Sequence, residues 1–319
     1  MLMLLACSST KETETKPLRS KVSMKALKTS AASQLKSKGR VVAIGDVHGD
    51  IEATRAALRL AGAIDDQARW IGGELVIVQT GDLLDRGDDE QAIIDLLLGL
   101  QTQARAAGGE IVLLNGNHEV MNVQGDLRYV TPGGFADFED APGVDEDDPR
   151  LGEIPAHARA RASAFMPGGA YALRLADNKV IAIVDDTVFA HGGVLPTHVA
   201  AGIDALNRDT SAWMRGERDS APSILIGESS PIWSRHFSKD PVSKANCAQL
   251  RETLRQLGAT RMVVGHTVQP KGITSACNNT IWRIDTGMAA HYGGSPAVLE
   301  ISSSGPRAIT TLIPETERH

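Results

Sequence analysis

The chain has 319 residues, 42% of them apolar and 23% charged, with a net charge of −6. These ordinary globular values exclude a collagen-like, coiled-coil or wholly disordered chain, and no run approaches the ~18 consecutive apolar residues of a membrane-spanning helix. Residues 11–40 hold nine Lys or Arg against Glu12 and Glu14, so a +7 leader precedes a body of −13, which argues against a general nucleic-acid binder. The three cysteines, Cys7, Cys247 and Cys277, are too few for a disulfide scaffold or a thiolate zinc site.

The first residues, Met1-Leu2-Met3-Leu4-Leu5-Ala6-Cys7, form an apolar run ending in cysteine. The string resembles the lipobox of bacterial lipoproteins, where the signal is cut before a Cys that receives lipid. That implies a periplasmic or membrane-anchored protein; a cytoplasmic chain and an organelle transit peptide are the alternatives. Residues 8–40 lack aromatics and are rich in Lys, Ser and Thr, so they are expected as a flexible basic tether. Membrane contact is expected only through this tether, if Cys7 is lipidated.

A single catalytic body is expected over 41–315. Val41–Ile44 reads as a buried strand, 50–61 as a helix with Asp50 as N-cap, and 75–78 as a second strand. A helix over 88–107 closes at Gly108-Gly109, and 111–114 is a third strand. Strands alternating with helices imply a parallel β-α-β-α-β layout. Residues 126–168 break the rhythm. Asp137, Glu139, Asp140, Asp145, Glu146, Asp147 and Asp148 mark them as an acidic, solvated insertion without the spacing of an EF-hand loop. Strands are expected at 171–175, 180–184 and 188–190, and helices at 196–214 and 245–257. The late strands fall at 261–264, 273–276, 280–284, 297–301 and 308–312.

Five polar motifs follow five apolar runs: Gly45-Asp46-Val47-His48-Gly49, Gly81-Asp82-Leu83-Leu84-Asp85-Arg86-Gly87, Gly116-Asn117-His118-Glu119, His191-Gly192-Gly193 and Gly265-His266-Thr267. Each alone is weak. Together they fix some eighteen identities in one order, at roughly 1 in 20 per position by average usage. Asp46, His48, Asp82, Asn117, His191 and His266 offer three imidazoles, two carboxylates and an amide oxygen. Such a mixed N/O set suits Mn, Fe or Zn. Six ligands exceed what one open metal site needs, and a carboxylate can bridge two ions. The pair would activate a bridging hydroxide to attack phosphorus. His118 can protonate the leaving oxygen if Asp85 orients it, and Arg86 can grip phosphate bidentately.

These motifs resemble the phosphoprotein phosphatase (PPP) superfamily of metallophosphoesterases. Gly49-Asp50 and the strings at 117–130 and 285–294 are similar to its Shewanella-like branch. The resemblance implies an α/β fold, a four-layer αββα sandwich of the calcineurin-like metallophosphoesterase type. It implies that Asp46, His48 and Asp82 hold one metal, and that Asp82, Asn117, His191 and His266 hold the second. His118 with Asp85 is the implied acid pair, and Asn117 also meets the phosphate. Ile232-Trp233-Ser234-Arg235 resembles a string of bacteriophage-type relatives, which makes Arg235 the second phosphate-gripping arginine. Tyr292 and His291 fall where the family brings a late loop over the metals. Arg128 and Tyr129 are candidates for the substrate entrance.

The expected activity is hydrolysis of phosphomonoesters on a phosphorylated protein or a small molecule, with phosphotyrosine favoured over phosphoserine/threonine. A dinucleoside tetraphosphate hydrolase shares most motifs, but tends to carry Asn in the Asp85 place and Asp after the His. A tethered binding protein with a dead site is the third reading, and the complete ligand set counts against it. His157, His198, His236 and His319 are expected outside the site. Cys247 and Cys277 fit either buried thiols or, in an exported body, a pair.

Overall fold

All four residues of Val41–Ile44 are buried on both faces, which is why the strand reads as an unbroken apolar run. It lies inside one of two sheets. The computed structural model describes residues 33–310. Their strands are Gln34–Leu35 (β1), Val41–Ile44 (β2), Val76–Gln79 (β3), Glu110–Leu113 (β4), Ile181–Val184 (β5), Thr187–Ala190 (β6), Arg261–Val264 (β7), Thr274–Ala276 (β8), Ile281–Arg283 (β9), Ala297–Ser302 (β10) and Gly305–Thr310 (β11). Their helices are Ile51–Leu60 (α1), Glu90–Ala106 (α2), Asn117–Val123 (α3), Pro132–Ala136 (α4), Ala156–Phe165 (α5), Ala170–Leu175 (α6), Pro196–Ala201 (α7), Ile203–Met214 (α8) and Lys244–Leu257 (α9).

One sheet has the order β11-β10-β2-β3-β4, the other β1-β5-β6-β7-β9-β8. β2, β3 and β4 pair in parallel, as their alternation with α1 and α2 predicts. Side chains on a strand alternate between faces. Val41, Ala43, Val76 and Val78 therefore meet Phe189, Val263, Ile284 and Leu299 in a core between the sheets. Val42, Ile44 and Ile77 share the other core with Ala57, Leu58, Ile93 and Leu97 of the helices. Helices outside two face-packed sheets make the expected αββα layering.

Several segments differ from the sequence reading. Residues 171–175 form α6 instead of a strand. Tyr171, Ala172 and Leu175 are buried at helical spacing, a pattern too short to separate from a strand by periodicity. The single helix expected over 196–214 is two, because Gly202 at φ 89° breaks it. The 126–168 insertion is folded. It carries α4 and α5, and its acidic stretch is largely exposed. Gln34–Leu35, read as tether, pairs in parallel with β5. Cys247 and Cys277 are joined in a disulfide between α9 and the turn after β8. The Cys7 string, the rest of the leader to residue 32, and the tail from 311 lie outside the described residues.

Candidate active site

The five motifs leave strands of both sheets at one edge. Asp46 and His48 follow β2, the 82–86 turn follows β3, and Asn117 opens α3 after β4. His191 and His266 follow β6 and β7 of the second sheet. The loops are tightly wound: His48, Asp82, Asp85, Arg86 and His266 all have positive φ, between 42° and 71°. Such backbone costs about 1–3 kcal/mol per residue and persists only where neighbours impose it. Glu119 is one such neighbour. Its buried carboxylate accepts the N–H groups of Asp82 (2.9 Å), Leu83 (2.7 Å) and Gly116 (2.6 Å). Gly116 and Gly265 are required for another reason. A Cβ on Gly116 would stand 2.2 Å from Asp82 Oδ1, and one on Gly265 2.3 Å from Asp46 Oδ1.

The six predicted ligands come together, all buried. His191 Nε2 lies 3.1 Å from Asp82 Oδ2, 3.0 Å from Asn117 Oδ1 and 3.1 Å from His266 Nδ1. Its Nδ1 faces the Thr80 carbonyl at 2.9 Å, so Nδ1 carries the proton and Nε2 presents a lone pair. Acceptor atoms of His191, Asp82 and Asn117 thus face one another. That arrangement fits a cation. His48 repeats it: Nδ1 donates to Leu84 O at 3.0 Å, and Nε2 faces Asp82 Oδ2 (3.7 Å) and Asp46 Oδ2 (4.0 Å). Asp82 faces both clusters. His266 Nε2 is buried with no hydrogen-bond partner.

The electrostatics agree. Burial lowers His48 to about 4 and His266 to about 2, so both imidazoles are neutral at pH 7, as ligands must be. Burial, with Asp285 and Asp82 close by, raises Asp46 well above the carboxylate range. Burial also pushes Asp285 up to about 6 and Glu119 up to about 7. Carboxylates gathered without a resident counter-charge are what divalent ions neutralise. The donor set fits two such ions.

His118 differs from the other imidazoles. Its Nδ1 lies 2.6 Å from Asp85 Oδ2, and its Nε2 turns inward to 3.8 Å from Asp82 Oδ2. Burial opposes its protonation, but Asp82 and Asp85 outweigh burial and raise its pKa. Asp85 is itself fixed: Oδ1 accepts from Asn122 Nδ2 and from Arg161 Nη2, both at 3.0 Å. Arg161 comes from α5 in the acidic insertion and is fully buried. It also donates to Glu90 Oε1 (2.7 Å), Asn122 Oδ1 (2.8 Å) and Gly134 O (2.8 Å).

The sequence reading missed this network. The C-terminal part of α5, from Ala160 to Phe165, is buried throughout, so Arg161 within it must be paired, and no local feature of the sequence marks it.

The substrate-side residues are placed unevenly. Arg86 lies over the Tyr129 ring, 4.1 Å from its centroid, and Arg86 Nε is buried without a partner. Tyr129 also meets the His118 ring at 5.2 Å. Tyr292 meets His48 at 5.3 Å, and His291 stacks edge-on against Tyr292 at 4.7 Å. The Asp50 N-cap holds their loop by accepting Ala290 N at 2.8 Å. Arg235 Nη1 donates to His266 O (3.0 Å) and Thr267 Oγ1 (2.7 Å), which places it beside the cluster. Arg128 is exposed and ion-paired with Asp126 at 2.7 Å. Of the set-aside histidines, His157 packs on Phe135, and His198 is buried in α7. His236 is half-buried beside Ser234, and His319 lies outside the described residues.

Comparison with known proteins agrees with this geometry. The family model described as calcineurin-like phosphoesterase matches residues 39–270. The chain is 40% identical to Shewanella-like protein phosphatase 2 of Arabidopsis thaliana over 303 residues, covering 85% of this chain and 78% of that one. It is 30% identical to Shewanella-like protein phosphatase 1 of Plasmodium berghei (strain Anka) over 296 residues, covering 89% and 77%. The cold-active protein-tyrosine phosphatase of a psychrophile Shewanella sp. shares the fold, at a TM-score of 0.70 and 23% identity over 88% of this chain and 82% of that one. The chain therefore belongs to the calcineurin-like phosphoesterases, as a dinuclear metal-dependent phosphatase of the Shewanella-like branch.

Proposed function

We propose that the protein removes phosphate from phosphorylated proteins, with phosphotyrosine the favoured residue, and that His118 is the acid that protonates the leaving oxygen. The His118–Asp85 pair carries this reading. His48 and His191 bond carbonyl oxygens, whereas His118 bonds a carboxylate and faces another, so it holds a proton at its inward Nε2. Asp46, His48 and Asp82 would hold one ion, and Asp82, Asn117, His191 and His266 the other. When bound, the ions polarise the phosphoryl group and make water a competent nucleophile near neutral pH.

The remaining work belongs to the chain. Arg86 offers a guanidinium with a buried, unpartnered Nε, fixed in plane by Tyr129, for two phosphoryl oxygens. Arg235 and Asn117 complete the phosphate cradle. His118 Nε2 donates to the departing oxygen, and Asp85, braced by Arg161 and Asn122, steadies the imidazole through the transfer. Tyr292 and Tyr129, each against an imidazole of the centre, wall the opening for an aromatic phosphoester. The Shewanella protein that shares this fold is a protein-tyrosine phosphatase, which supports the tyrosine preference.

The test is turnover by the full chain with Mn²⁺ on phosphotyrosine and phosphoserine peptides and on diadenosine tetraphosphate. Higher kcat/KM on phosphotyrosine is expected. Preference for the tetraphosphate would overturn the reading, and no turnover on any of the three would sink the enzyme.

A further inference from the structure

We infer that a basic groove beside the metal cluster binds an acidic side chain of the protein substrate, a few residues from its phosphorylated residue. The inference rests on the protein phosphatase reading and specifies which sequences that phosphatase prefers.

A cavity of about 660 Å³ opens between the loop at 227–229 and the segment 233–239, with Glu228, Trp233, Arg235, His236 and Lys239 in its wall. It adjoins the centre directly. The Trp233 ring stands 5.8 Å from that of His266, nearly perpendicular to it, and Arg235 is bonded to the His266 carbonyl. Lys239 follows one turn on, its N–H donating to Arg235 O at 3.2 Å. Two permanent cations thus share one wall, with Glu228 as the only carboxylate among the described residues of the lining.

Among the described residues no carboxylate lies within 4 Å of Arg235 or Lys239, and neighbouring Asp240 is paired with Arg283. Arg235 serves the phosphate, so Lys239, one turn farther along the wall, is the cation left to favour a second incoming anion. The rest of the groove says what carries the anion. Trp233 lines it with an indole, and exposed Ile226 leads into the lining residue Gly227. An indole beside a cation fits a peptide that carries an acidic side chain among apolar ones. A peptide in extended form advances ~3.3 Å per residue, so a side chain two or three positions from the phosphoresidue reaches the groove.

The test uses the full chain with Mn²⁺, p-nitrophenyl phosphate, and two phosphotyrosine peptides that differ only in having Glu or Lys at positions two and three from the phosphoresidue. Lys239→Glu is the variant. Wild type should prefer the Glu peptide in kcat/KM, and Lys239→Glu should reduce or invert that preference by roughly 5- to 20-fold, the size expected when a partly exposed attraction becomes repulsion. Turnover of p-nitrophenyl phosphate, which ends at the Arg235 side of the groove and extends nothing toward Lys239, should not change. Equal rates on the two peptides, with p-nitrophenyl phosphate turned over normally, would overturn the inference and leave the phosphatase reading standing. An effect of Lys239→Glu on diadenosine tetraphosphate with none on the peptides would reassign the groove to nucleotides and overturn it too. Loss of all turnover in wild type would remove both.

Discussion

Arg161, from an insertion that reads as solvated acidic loop, reaches the far oxygen of the carboxylate that orients His118: its Nη2 is 3.0 Å from Asp85 Oδ1. The His118–Asp85 pair is therefore the inner end of a buried chain of ionisable groups that runs His118, Asp85, Arg161, Glu90.

Removing the imidazole tests the acid role. His118→Asn should retain its metals and lose ~10²–10⁴ in kcat. The loss should shrink for phosphoesters whose leaving group needs no proton. Metal analysis beside kcat for aryl phosphates of graded leaving-group pKa checks both. Full activity in the variant would show that the proton comes from elsewhere.

Asp85→Asn tests the pH dependence. As the proposed acid, His118 must be protonated to act, so kcat should fall as pH rises through its folded pKa. Asp82 and Asp85 raise that pKa. With Asp85 neutralised, the alkaline limb of the kcat profile should move to lower pH, with a lower plateau. An unmoved limb would mean that another group sets it.

Arg161→Leu leaves Glu90 and Asp85 buried without their cation. Breaking a buried pair from one side costs roughly 3–5 kcal/mol. The urea midpoint should fall accordingly. Arg161→Leu combined with Glu90→Leu should be milder than Arg161→Leu alone, because the second change removes the stranded charge.

Gly116→Ala places a methyl 2.2 Å from an Asp82 oxygen. Asp82 faces both ligand clusters, so its displacement should lower the content of both metals and nearly abolish turnover. Overpacking should add ~1–3 kcal/mol of destabilisation. Asp82→Asn should lose metal and turnover without that strain, and thermal melts of metal-free protein separate the two.

Arg86→Lys keeps the charge but loses the planar fork over Tyr129. A fall in kcat/KM of roughly 10²-fold is expected, with weaker inhibition by inorganic phosphate. Unchanged phosphate inhibition would move the grip to Arg235.

The sequence carried the cluster well because its residues sit in short glycine-bounded motifs just after buried strands. Such loops need few distant contacts to be recognised: Asp46, His48, Asp82, Asn117, His191 and His266 all arrive where the motifs imply. What stayed hidden depends on tertiary pairing. Nothing local separates buried Arg161 from half-buried Arg159 two residues away. Glu119 was visible as a motif residue, but its bonds to four backbone N–H groups were not. Residues 171–175 are strand-like in composition, and become helix through what they bury. The pairing of Gln34–Leu35 with β5 joins segments some 150 residues apart, beyond any local pattern.

The ligands come from both sheets, and the His266 N–H already reaches the Asp46 carboxylate across 220 residues of chain. A bound ion pair is then a staple across the seam between the two halves. A ligand that binds only the folded chain adds about 2.7 kcal/mol at a hundredfold excess over its Kd. Loading therefore adds to stability, and stripping the metal should lower the melting temperature along with the activity.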